Sequence, residues 1–425
     1  MQKAVKPNLK KIIGEITIPA DKSISHRSII LPCLANGKSI IKNFATGQDP
    51  HSTINIFKAL GVNIKYQTGS TVIIESNGKL KQPANILDCG NSGTTIRLVS
   101  GILAGQNFTS VLTGDKSLSK RPMKRIITPL ELMGANIDSK DFKAPLKIQG
   151  QPLTGISYNS ALASAQVKSC ILLAGLFANG TTTFTEPYIS RNHTEIMLKH
   201  MGANITVDGT RVSIQKSKLE PIEMEICGDI SSAAYFIAAG LIIPNSKIIL
   251  RNVGLNPTRI GIIEVAKQMG GNIKILNKKE VCGEITGDIS VEYSELKGCT
   301  IQGEMIPRLI DEIPIIAVLA TQAEGETIIS DAQDLKNKES DRISALVSEL
   351  KKLGADIEEK PDGMIINGKK TLMGNNIVET YHDHRLAMSL YVAGLVCQKE
   401  ILINGFEWVN ISFPEFEEKF DKLLT

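Results

Sequence analysis

The chain has 425 residues, more than one hydrophobic core usually serves, so two domains of about 200 residues each are expected. Hydrophobic residues make up 42% of it and charged residues 22%, which is typical of a globular protein. A net charge of only +4 and an aromatic content of 4% disfavour a protein that coats nucleic acid or stacks on its bases.

The seven cysteines are scattered, and no two lie within four residues of each other. The sequence therefore has neither a CxxC pair nor a zinc pattern, and reduced thiols are expected. The N-terminal segment is polar, and no apolar run reaches 18 residues. We expect a cytoplasmic protein with no metal, no cofactor, no nucleic-acid partner and no membrane span.

One glycine phrase recurs at intervals of roughly 70 residues. It reads ALGVNI, LMGANI, HMGANI, QMGGNI and KLGADI, with glycines at Gly61, Gly134, Gly202, Gly270 and Gly354. Each phrase ends a segment with helical spacing of apolar residues and leads into a strand-like segment. Its glycine is therefore expected at a helix C-terminus in the left-handed conformation.

A second recurring phrase consists of an apolar helix, a turn and a strand rich in Thr and Ile. Its six copies lie at 25–44, 92–114, 164–187, 231–253, 312–332 and 384–405. Six copies predict one supersecondary unit repeated six times, three in each domain, and an α/β or α+β class. The helices are apolar nearly all round, which is typical of buried helices.

Polar and charged residues gather at the N-terminal ends of these helices, at 22–23, 91–94, 164–166, 228–229, 311–312 and 382–385. If the helices point the same way, their backbone N–H groups and positive dipole ends form a site for anions. Arg and Lys can hold carboxylate or phosphate there, and carboxylates are available for proton transfer.

The segment GDKSLSKRPMKR at 114–125 is a dense basic stretch, with five Lys and Arg residues among twelve. A nucleic-acid patch, a solvated loop and a grip on a small polyanion are three interpretations of it. The position of the stretch in the repeat favours the polyanion. Lys124 and Arg125 are expected to start the next helix.

Spacing suggests further local geometry. Ser23 and Arg27 lie four residues apart and are expected to share a helix face, as are Lys338 and Arg342 in KESDR. Asp311 opens DEIPII, whose proline falls in the first helical turn, where proline is tolerated. The pair at 382 and 384 in HDH has no third ligand cluster nearby, so a metal site is not expected.

Taken together, these segments resemble the EPSP synthase family. The resemblance runs nearly end to end and rests on DKSISHR (21–27), GNSGTTIRL (90–98), KRPM (120–123), SAQVKS (164–169), DEIPI (311–315), KESDR (338–342) and DHRLAM (383–388). Four segments resemble the subgroup called class II: RNHTE (191–195), GDKS (114–117), SAQVK (164–168) and NPTR (256–259).

The resemblance implies two similar domains, each of three βαβαββ repeats with buried helices, the inverse α/β barrel of enolpyruvyl transferases. One domain is expected at 21–227, mainly on the shikimate 3-phosphate side. The other is expected at 1–20 plus 228–425, mainly on the phosphoenolpyruvate side and with the catalytic acids. The implied active site lies in the cleft between them.

The implied reaction transfers the enolpyruvyl group of phosphoenolpyruvate to the 5-hydroxyl of shikimate 3-phosphate by addition and elimination through a tetrahedral intermediate. It releases phosphate and belongs to the shikimate pathway, which leads to chorismate and the aromatic amino acids. The two substrates together carry on the order of six negative charges, counting nearly two per phosphate. A site dense in Lys and Arg suits that pair.

The resemblance also implies the site residues. The catalytic residues implied are Asp311, Glu339 and Lys22. Asp311 accepts the hydroxyl proton. Glu339 handles the proton at the methylene carbon, and how this role is divided between Glu339 and Lys22 is left open. Shikimate 3-phosphate is expected at Lys22, Ser23, Arg27, Ser164, Ala165, Gln166, Arg191, Asp311 and Lys338. Phosphoenolpyruvate is expected at Lys22, Asn91, Gly93, Arg121, Gln166, Arg342 and Arg385.

Three departures from the family pattern concern single positions. Ile411 and Ser412 stand where some members carry a Lys that reaches phosphoenolpyruvate, and Asp334 stands where some carry Asn. Gly93 stands where glyphosate-tolerant class II members often have Ala, so the response to glyphosate is left open.

The partners implied are small anionic substrates, with glyphosate as a candidate inhibitor, and a monomer is expected. The nearest alternative is the enolpyruvyl transferase that acts on UDP-N-acetylglucosamine. That enzyme usually has a reactive Cys in the loop equivalent to 114–125, and this chain has none there.

Overall fold

A computed structural model describes residues 1–8, 11–67 and 69–424. The chain divides into two compact domains. Domain 1 contains Met1–Pro19, Cys227–Glu280 and Ile285–Thr425, and domain 2 contains Ala20–Ile226 with the short segment Val281–Glu284.

The strands are numbered along the chain. The first twelve are β1 (Gln2–Val5), β2 (Ile13–Thr17), β3 (Asn36–Lys42), β4 (Asn63–Gln67), β5 (Thr71–Asn77), β6 (Leu87–Asp88), β7 (Thr109–Thr113), β8 (Asn136–Asp138), β9 (Leu146–Gln149), β10 (Ser157–Asn159), β11 (Thr181–Thr185) and β12 (Ile205–Asp208). The others are β13 (Arg211–Gln215), β14 (Glu223–Glu225), β15 (Lys247–Gly254), β16 (Asn272–Val281), β17 (Glu284–Glu292), β18 (Thr300–Ile301), β19 (Glu326–Ile329), β20 (Asp356–Lys360), β21 (Gly363–Asn367), β22 (Ile377–Glu379) and β23 (Ile401–Asn404).

The helices alternate with these strands. They are α1 (Lys22–Leu34), α2 (Gln48–Ala59), α3 (Gly93–Ala104), α4 (Lys124–Leu132), α5 (Ala165–Gly175), α6 (His193–His200), α7 (Ile230–Ile242), α8 (Gly261–Gln268), α9 (Ile306–Leu309), α10 (Ile313–Gln322), α11 (Arg342–Lys352), α12 (His384–Leu395) and α13 (Phe416–Asp421). Short 3-10 helices lie at Leu118–Lys120, Lys140–Phe142, Gly303–Met305, Gln333–Asn337 and Phe406–Ile411.

Each domain repeats one small mixed sheet. The sheets of domain 2 have the orders β14-β3-β5-β4, β6-β7-β9-β8 and β10-β11-β13-β12. In each of them the first pair is parallel and the other two pairs are antiparallel. Domain 1 has β2-β15-β17-β16, β18-β19-β21-β20 and the three-stranded β22-β23-β1, in which β1 from the start of the chain completes the last repeat. The sixfold repeat predicted from the sequence is confirmed.

Six helices form the interior, α1, α3 and α5 in domain 2 and α7, α10 and α12 in domain 1. Every residue of α7 and of α12 is buried, and nearly every residue of the other four is too. The cores are mostly Ile, Leu, Val and Ala, and in domain 1 Phe236 of α7 stacks on Phe420 of α13 at 4.3 Å between ring centroids. Among the described residues no helix is long and apolar enough to cross a bilayer.

The recurring glycine has the predicted role. In each of the five phrases the amphipathic helix ends two residues before the glycine, which has a φ between 82° and 97°. Residues with a Cβ rarely adopt this conformation. The glycine therefore lets the chain leave each helix and enter the next strand.

The packing of α3 on α5 gives a prediction. A Cβ added at Gly101 would lie 2.1 Å from the carbonyl oxygen of Cys170 on α5, so the two backbones would have to separate. We expect Gly101→Ala to lower the free energy of unfolding by about 3 kcal/mol, the upper part of the range for overpacked cores. Urea denaturation followed by circular dichroism measures this.

Ser100→Ala is the matched control, because Ser100 is also buried on α3 and its hydroxyl donates only to Ile96 O in its own helix, at 2.7 Å. It should cost at most about 1 kcal/mol. Equal losses in the two variants would contradict the close approach of the helices.

Candidate active site

In domain 2, the basic stretch at 114–125 is not uniform. Arg121 is buried, whereas Lys116, Lys120 and Lys124 are exposed. Nη2 of Arg121 donates to Oδ1 of Asn91 at 2.7 Å. As predicted, Lys124 begins α4. Arg121 is thus held in one place, while the exposed lysines contribute charge at the surface.

Asp115 of the GDKS segment explains how that loop is held. Its Oδ1 accepts the backbone N–H groups of Ser117 and Leu118 at 2.9 and 2.7 Å, which starts the 3-10 helix leading to Arg121. Its Oδ2 accepts Nδ2 of Asn91 at 2.7 Å, so the same carboxylate orients the amide that receives Arg121.

Gly93 is the first residue of α3, and Ser92 caps the helix by accepting the N–H of Thr95 at 3.1 Å. A Cβ at Gly93 would lie 2.7 Å from Nη1 of Arg97 and 3.1 Å from Nη1 of Arg121. The missing side chain therefore leaves room for two guanidinium groups at one helix N-terminus.

Arg97 joins two of the buried helices. Its Nη1 donates to Oε1 of Gln166 on α5 at 2.7 Å, and Nε2 of Gln166 donates to Oγ1 of Thr94 on α3 at 3.1 Å. Sequence reasoning assigned no role to Arg97. The available signal was a single Arg inside the otherwise apolar helix in GTTIRL.

The N-terminus of α1 holds a second group of predicted residues. Lys22 forms an ion pair with Asp49 at 3.1 Å, and the hydroxyl of Ser23 accepts Nη1 of Arg191 at 2.8 Å. Ser164 caps α5 and Ala165 begins it, so the first N–H groups of that helix have no partner within the helix. An anion is favoured at such an end.

Arg27 differs from its neighbours because it is deeply packed. Its Nε donates to Oγ1 of Thr194 at 2.6 Å, and its two Nη atoms donate to Ser23 O and to Oγ of Ser169, both at 2.9 Å. Only 3% of the residue is exposed. Arg27 therefore ties α1 to α5 and α6, and all three of its nitrogens have protein acceptors.

In domain 1, Arg342 is the most strongly held cation of the site. It is 1% exposed, its Nε donates to Oδ2 of Asp383 at 2.7 Å, and its Nη2 donates to Oε2 of Glu339 at 2.6 Å. Burial by itself lowers the pKa of the Arg342 guanidinium, but Asp383 and Glu339 raise it above its ordinary value. The Arg342 guanidinium is therefore always charged, and its two carboxylate partners fix its orientation.

Asp311 has looser contacts, although three cations surround it. Its Oδ1 lies 3.5 Å from Nζ of Lys338 and 3.5 Å from Nη1 of Arg342, and its Oδ2 lies 3.8 Å from Nη2 of Arg385. These distances exceed those of charge-assisted hydrogen bonds, about 2.7–2.9 Å. The side chain is 16% exposed, so this carboxylate is attracted by cations and still accessible.

The prediction that Lys338 and Arg342 share a helix face is wrong. Helix α11 begins only at Arg342, because Asp341 caps it by accepting the N–H groups of Ile343 and Ser344 at 3.1 and 3.2 Å. Asp is among the preferred residues at that position. Lys338 and Glu339 therefore precede the helix and fold back toward Asp311 and Arg342 from a loop.

Three helix N-termini meet in domain 1 through a buried polar network. Nη2 of Arg259 donates to Oγ of Ser231 on α7 at 2.6 Å, and Oγ of Ser231 donates to Oε1 of Glu312, which precedes α10. Glu312 in turn lies 3.8 Å from Nη1 of Arg385 on α12. Arg259 belongs to NPTR and Glu312 to DEIPI, but sequence reasoning gave neither a role.

Three positions raised in the sequence have structural explanations. His382 stacks on Trp408 at 4.7 Å between ring centroids, and no cluster of three or more His, Cys, Asp or Glu able to hold a metal occurs among residues 1–8, 11–67 and 69–424. Ile411 is buried at the end of a 3-10 helix, so it belongs to the core. Asp334 lies 3.9 Å from Nζ of Lys338.

Comparison with known proteins identifies the family. The family model for EPSP synthase (3-phosphoshikimate 1-carboxyvinyltransferase) matches residues 7–420. Relatives named 3-phosphoshikimate 1-carboxyvinyltransferase from Thermoanaerobacter sp. (strain X514) and Bacillus subtilis (strain 168) are each 52% identical to this chain, over 413 and 416 residues. Each alignment covers 96% of this chain and 97% of the relative.

A solved EPSP synthase from Acinetobacter baumannii has 42% sequence identity and a TM-score of 0.88, covering 99% of this chain and 98% of that one. The fold with its buried helices is that of a two-domain inverse α/β barrel. The chain belongs to the EPSP synthase family.

The buried network gives a prediction about pH. Burial raises the pKa of the Glu312 carboxyl and Asp311 adds to the increase, against the opposing effect of Arg259 and Arg385. A raised folded-state pKa contributes stability below the ordinary value, about 4.3, that is lost as the pH rises through the folded value. We expect wild type to lose stability relative to Glu312→Gln as the pH rises from that ordinary value toward neutrality.

The measurement is the urea midpoint of both proteins across that pH range. Glu223→Gln is the control, because Lys42 holds the pKa of the exposed Glu223 carboxyl below its ordinary value. Its pH dependence should have the opposite sign and be much smaller. A difference between wild type and Glu312→Gln that does not change with pH would contradict the prediction.

Proposed function

We propose that this chain transfers the enolpyruvyl group of phosphoenolpyruvate to the 5-hydroxyl of shikimate 3-phosphate and releases inorganic phosphate. The reaction belongs to the shikimate pathway, which leads to chorismate and the aromatic amino acids. Family membership supports the assignment. The observation that carries it is the accessible carboxylate of Asp311, which lies within 3.5–3.8 Å of three cationic side chains beside buried helix N-termini.

The addition step needs a base and an acid. Asp311 accepts the proton of the 5-hydroxyl of shikimate 3-phosphate, while the oxygen of that hydroxyl bonds to C2 of phosphoenolpyruvate. Glu339, with Lys22, delivers a proton to the methylene carbon C3, which gives the tetrahedral intermediate. Elimination then removes a proton from the C3 methyl group and breaks the bond between C2 and the phosphate oxygen, which restores the double bond.

Domain 2 supplies the groups for shikimate 3-phosphate. Its phosphate is assigned to Ser164, the backbone N–H of Ala165 and Arg191, next to Ser23 and Lys22. The N-terminus of α5 and the contact of Arg191 with Ser23 at 2.8 Å support this assignment. Arg27 is assigned to the same substrate, chiefly because its guanidinium donates to Ser23 O at 2.9 Å and so holds the backbone there. Lys338 and Asp311 of domain 1 are assigned to the ring hydroxyls, and Gln166 to the ring.

Phosphoenolpyruvate is assigned to cations that are already fixed. Arg121 is held by Asn91, Arg342 by Asp383, and Arg385 lies near Asp311 and Glu312. Gly93 leaves space beside Arg121, and Lys22 reaches the same substrate. Groups fixed before binding stabilise the charge that develops in the transition state without further reorganisation.

Three finer points belong to the same proposal. Glyphosate, which carries a phosphonate and a carboxylate, competes with phosphoenolpyruvate at Asn91, Gly93 and Arg121. The chain acts as a monomer. It works in the cytoplasm, and the scattered spacing of its seven cysteines supports a reducing compartment.

The test of function is a phosphate-release assay with phosphoenolpyruvate and each acceptor in turn. Release should require shikimate 3-phosphate, and glyphosate should inhibit it competitively with phosphoenolpyruvate. Release that requires UDP-N-acetylglucosamine would overturn the assignment in favour of the alternative enolpyruvyl transferase.

The role of Asp311 gives a prediction. Asp311→Asn keeps the size of the side chain and removes the base, so kcat should fall by about 10²–10⁴ with little change in melting temperature. Steady-state kinetics and differential scanning fluorimetry measure the two quantities. A kcat within a factor of about 3 of wild type is incompatible with a proton-accepting role.

The basic stretch gives a second prediction. Arg121→Ala removes a buried, oriented guanidinium, so the KM for phosphoenolpyruvate should rise at least about tenfold, as expected for a lost charge-assisted hydrogen bond. Lys124→Ala removes an exposed charge and should change that KM by less than about twofold. Equal effects would show that the stretch acts only through its overall charge.

A further inference from the structure

A buried ion cluster in domain 2 lies outside the residues assigned to substrates. Nζ of Lys168 on α5 lies 2.7 Å from Oε1 of Glu186 and 2.8 Å from Oε1 of Glu195. The three side chains are 1–3% exposed. Lys168 and Glu195 belong to SAQVK and RNHTE, two of the segments that resemble class II.

By itself, the cluster is not expected to stabilise the fold. In the described part of the chain, Oε2 of Glu186 and Oε2 of Glu195 are buried and have no hydrogen-bond partner, and neither has Oγ of Ser190. Buried ions with unsatisfied oxygens are often no more stable than a well-packed apolar replacement. Such groups can instead impose a defined local geometry.

That geometry concerns one short loop. Glu186 directly follows β11, α6 begins at His193, and the residues between them form no regular structure. The cluster holds both backbone polar groups of Ser190: its carbonyl accepts Nζ of Lys168 at 3.1 Å, and its N–H donates to Oε1 of Glu186 at 2.8 Å. Ser190 is thus anchored at the far end of the loop.

The residue after Ser190 is Arg191, to which we assigned the phosphate of shikimate 3-phosphate. Its backbone is fixed on one side by Ser190 and on the other by α6, whose Glu195 contacts the same ammonium group. Its guanidinium reaches Ser23 at 2.8 Å. Tyr188 and Ile189, earlier in the loop, are 45% and 44% exposed, so the anchor acts on the part of the loop that carries Arg191.

We propose that Lys168, Glu186 and Glu195 are positioning residues that hold Ser190, and through it Arg191, for the phosphate of the acceptor substrate. This inference rests on the proposed function, because it takes Arg191 as a phosphate ligand. Lys168 does not touch substrate, so its loss weakens the binding of shikimate 3-phosphate and leaves the chemical step and phosphoenolpyruvate largely unaffected.

The experiment is a double-mutant cycle between Lys168→Met and Arg191→Ala. Lys168→Met alone should raise the KM for shikimate 3-phosphate at least about tenfold, the equivalent of one charge-assisted hydrogen bond, while kcat and the KM for phosphoenolpyruvate change less than about threefold. In the Arg191→Ala background the same substitution should add less than about threefold. A full tenfold effect there would overturn the proposal, because Lys168 would then act independently of Arg191.

Thr183→Val is the control for a general loss of stability. Thr183 is buried on β11, and its hydroxyl forms a hydrogen bond with the hydroxyl of Ser213 on β13 at 2.9 Å, so neither residue belongs to the loop. It should lower the melting temperature without changing the KM for shikimate 3-phosphate. A rise in KM equal to that of Lys168→Met would overturn the proposal.

If Lys168→Met does not fold, Glu186→Gln gives the same comparison, because it also removes one charge but leaves Lys168 paired with Glu195. Amide hydrogen exchange then reports on the anchor without any substrate: the N–H of Ser190 should exchange at least about tenfold faster than in wild type, because its acceptor is weakened. Unchanged exchange would overturn the anchor. Wild-type phosphate release is measured alongside, so failure of the proposed function shows as no release while the exchange result still decides the anchor.

Discussion

Burial of six helices on all sides determines where the polar groups of this protein lie. Helices such as α7 and α12 have no exposed residue, and the N–H groups of their first turns have no partner within the helix. The caps Asp21, Ser92, Ser164, Asp229 and Asp383 satisfy some of these groups. Since the starts of these helices contact each other within a domain, capping residues and cations become neighbours, which is the basis of the anion site proposed above.

Within that site, the carboxylates have two different tasks. Asp383 accepts Arg342 at 2.7 Å and is fully buried, so it orients a cation and has no access to a substrate. Asp311 stays at 3.5 Å or more from its three cations and is partly exposed. The difference separates a group that prepares the electrostatic environment from one able to accept a proton.

Local patterns made the fold predictable. The period of about 70 residues, the glycine at each helix end and the apolar helices can all be recognised from short segments of the sequence. The gathering of charge at helix starts was predictable for the same reason. The start of α11 was not, because a single cap at Asp341 outweighed the helical spacing of KESDR. Arg97, Arg259 and Lys168 were missed because their meaning depends on partners as far away as Gln166, Ser231 and Glu186, which no local pattern reveals.

Two of these missed residues, Lys168 and Arg259, have a similar relation to proposed substrate contacts. Lys168 holds the loop of Arg191, and Arg259 reaches Ser231, whose hydroxyl contacts Glu312 beside Arg385. Each supports a proposed substrate contact indirectly, Lys168 through Ser190 and Arg259 through Ser231 and Glu312. Substitutions at such positions should therefore change the precision of substrate binding before they change the chemistry.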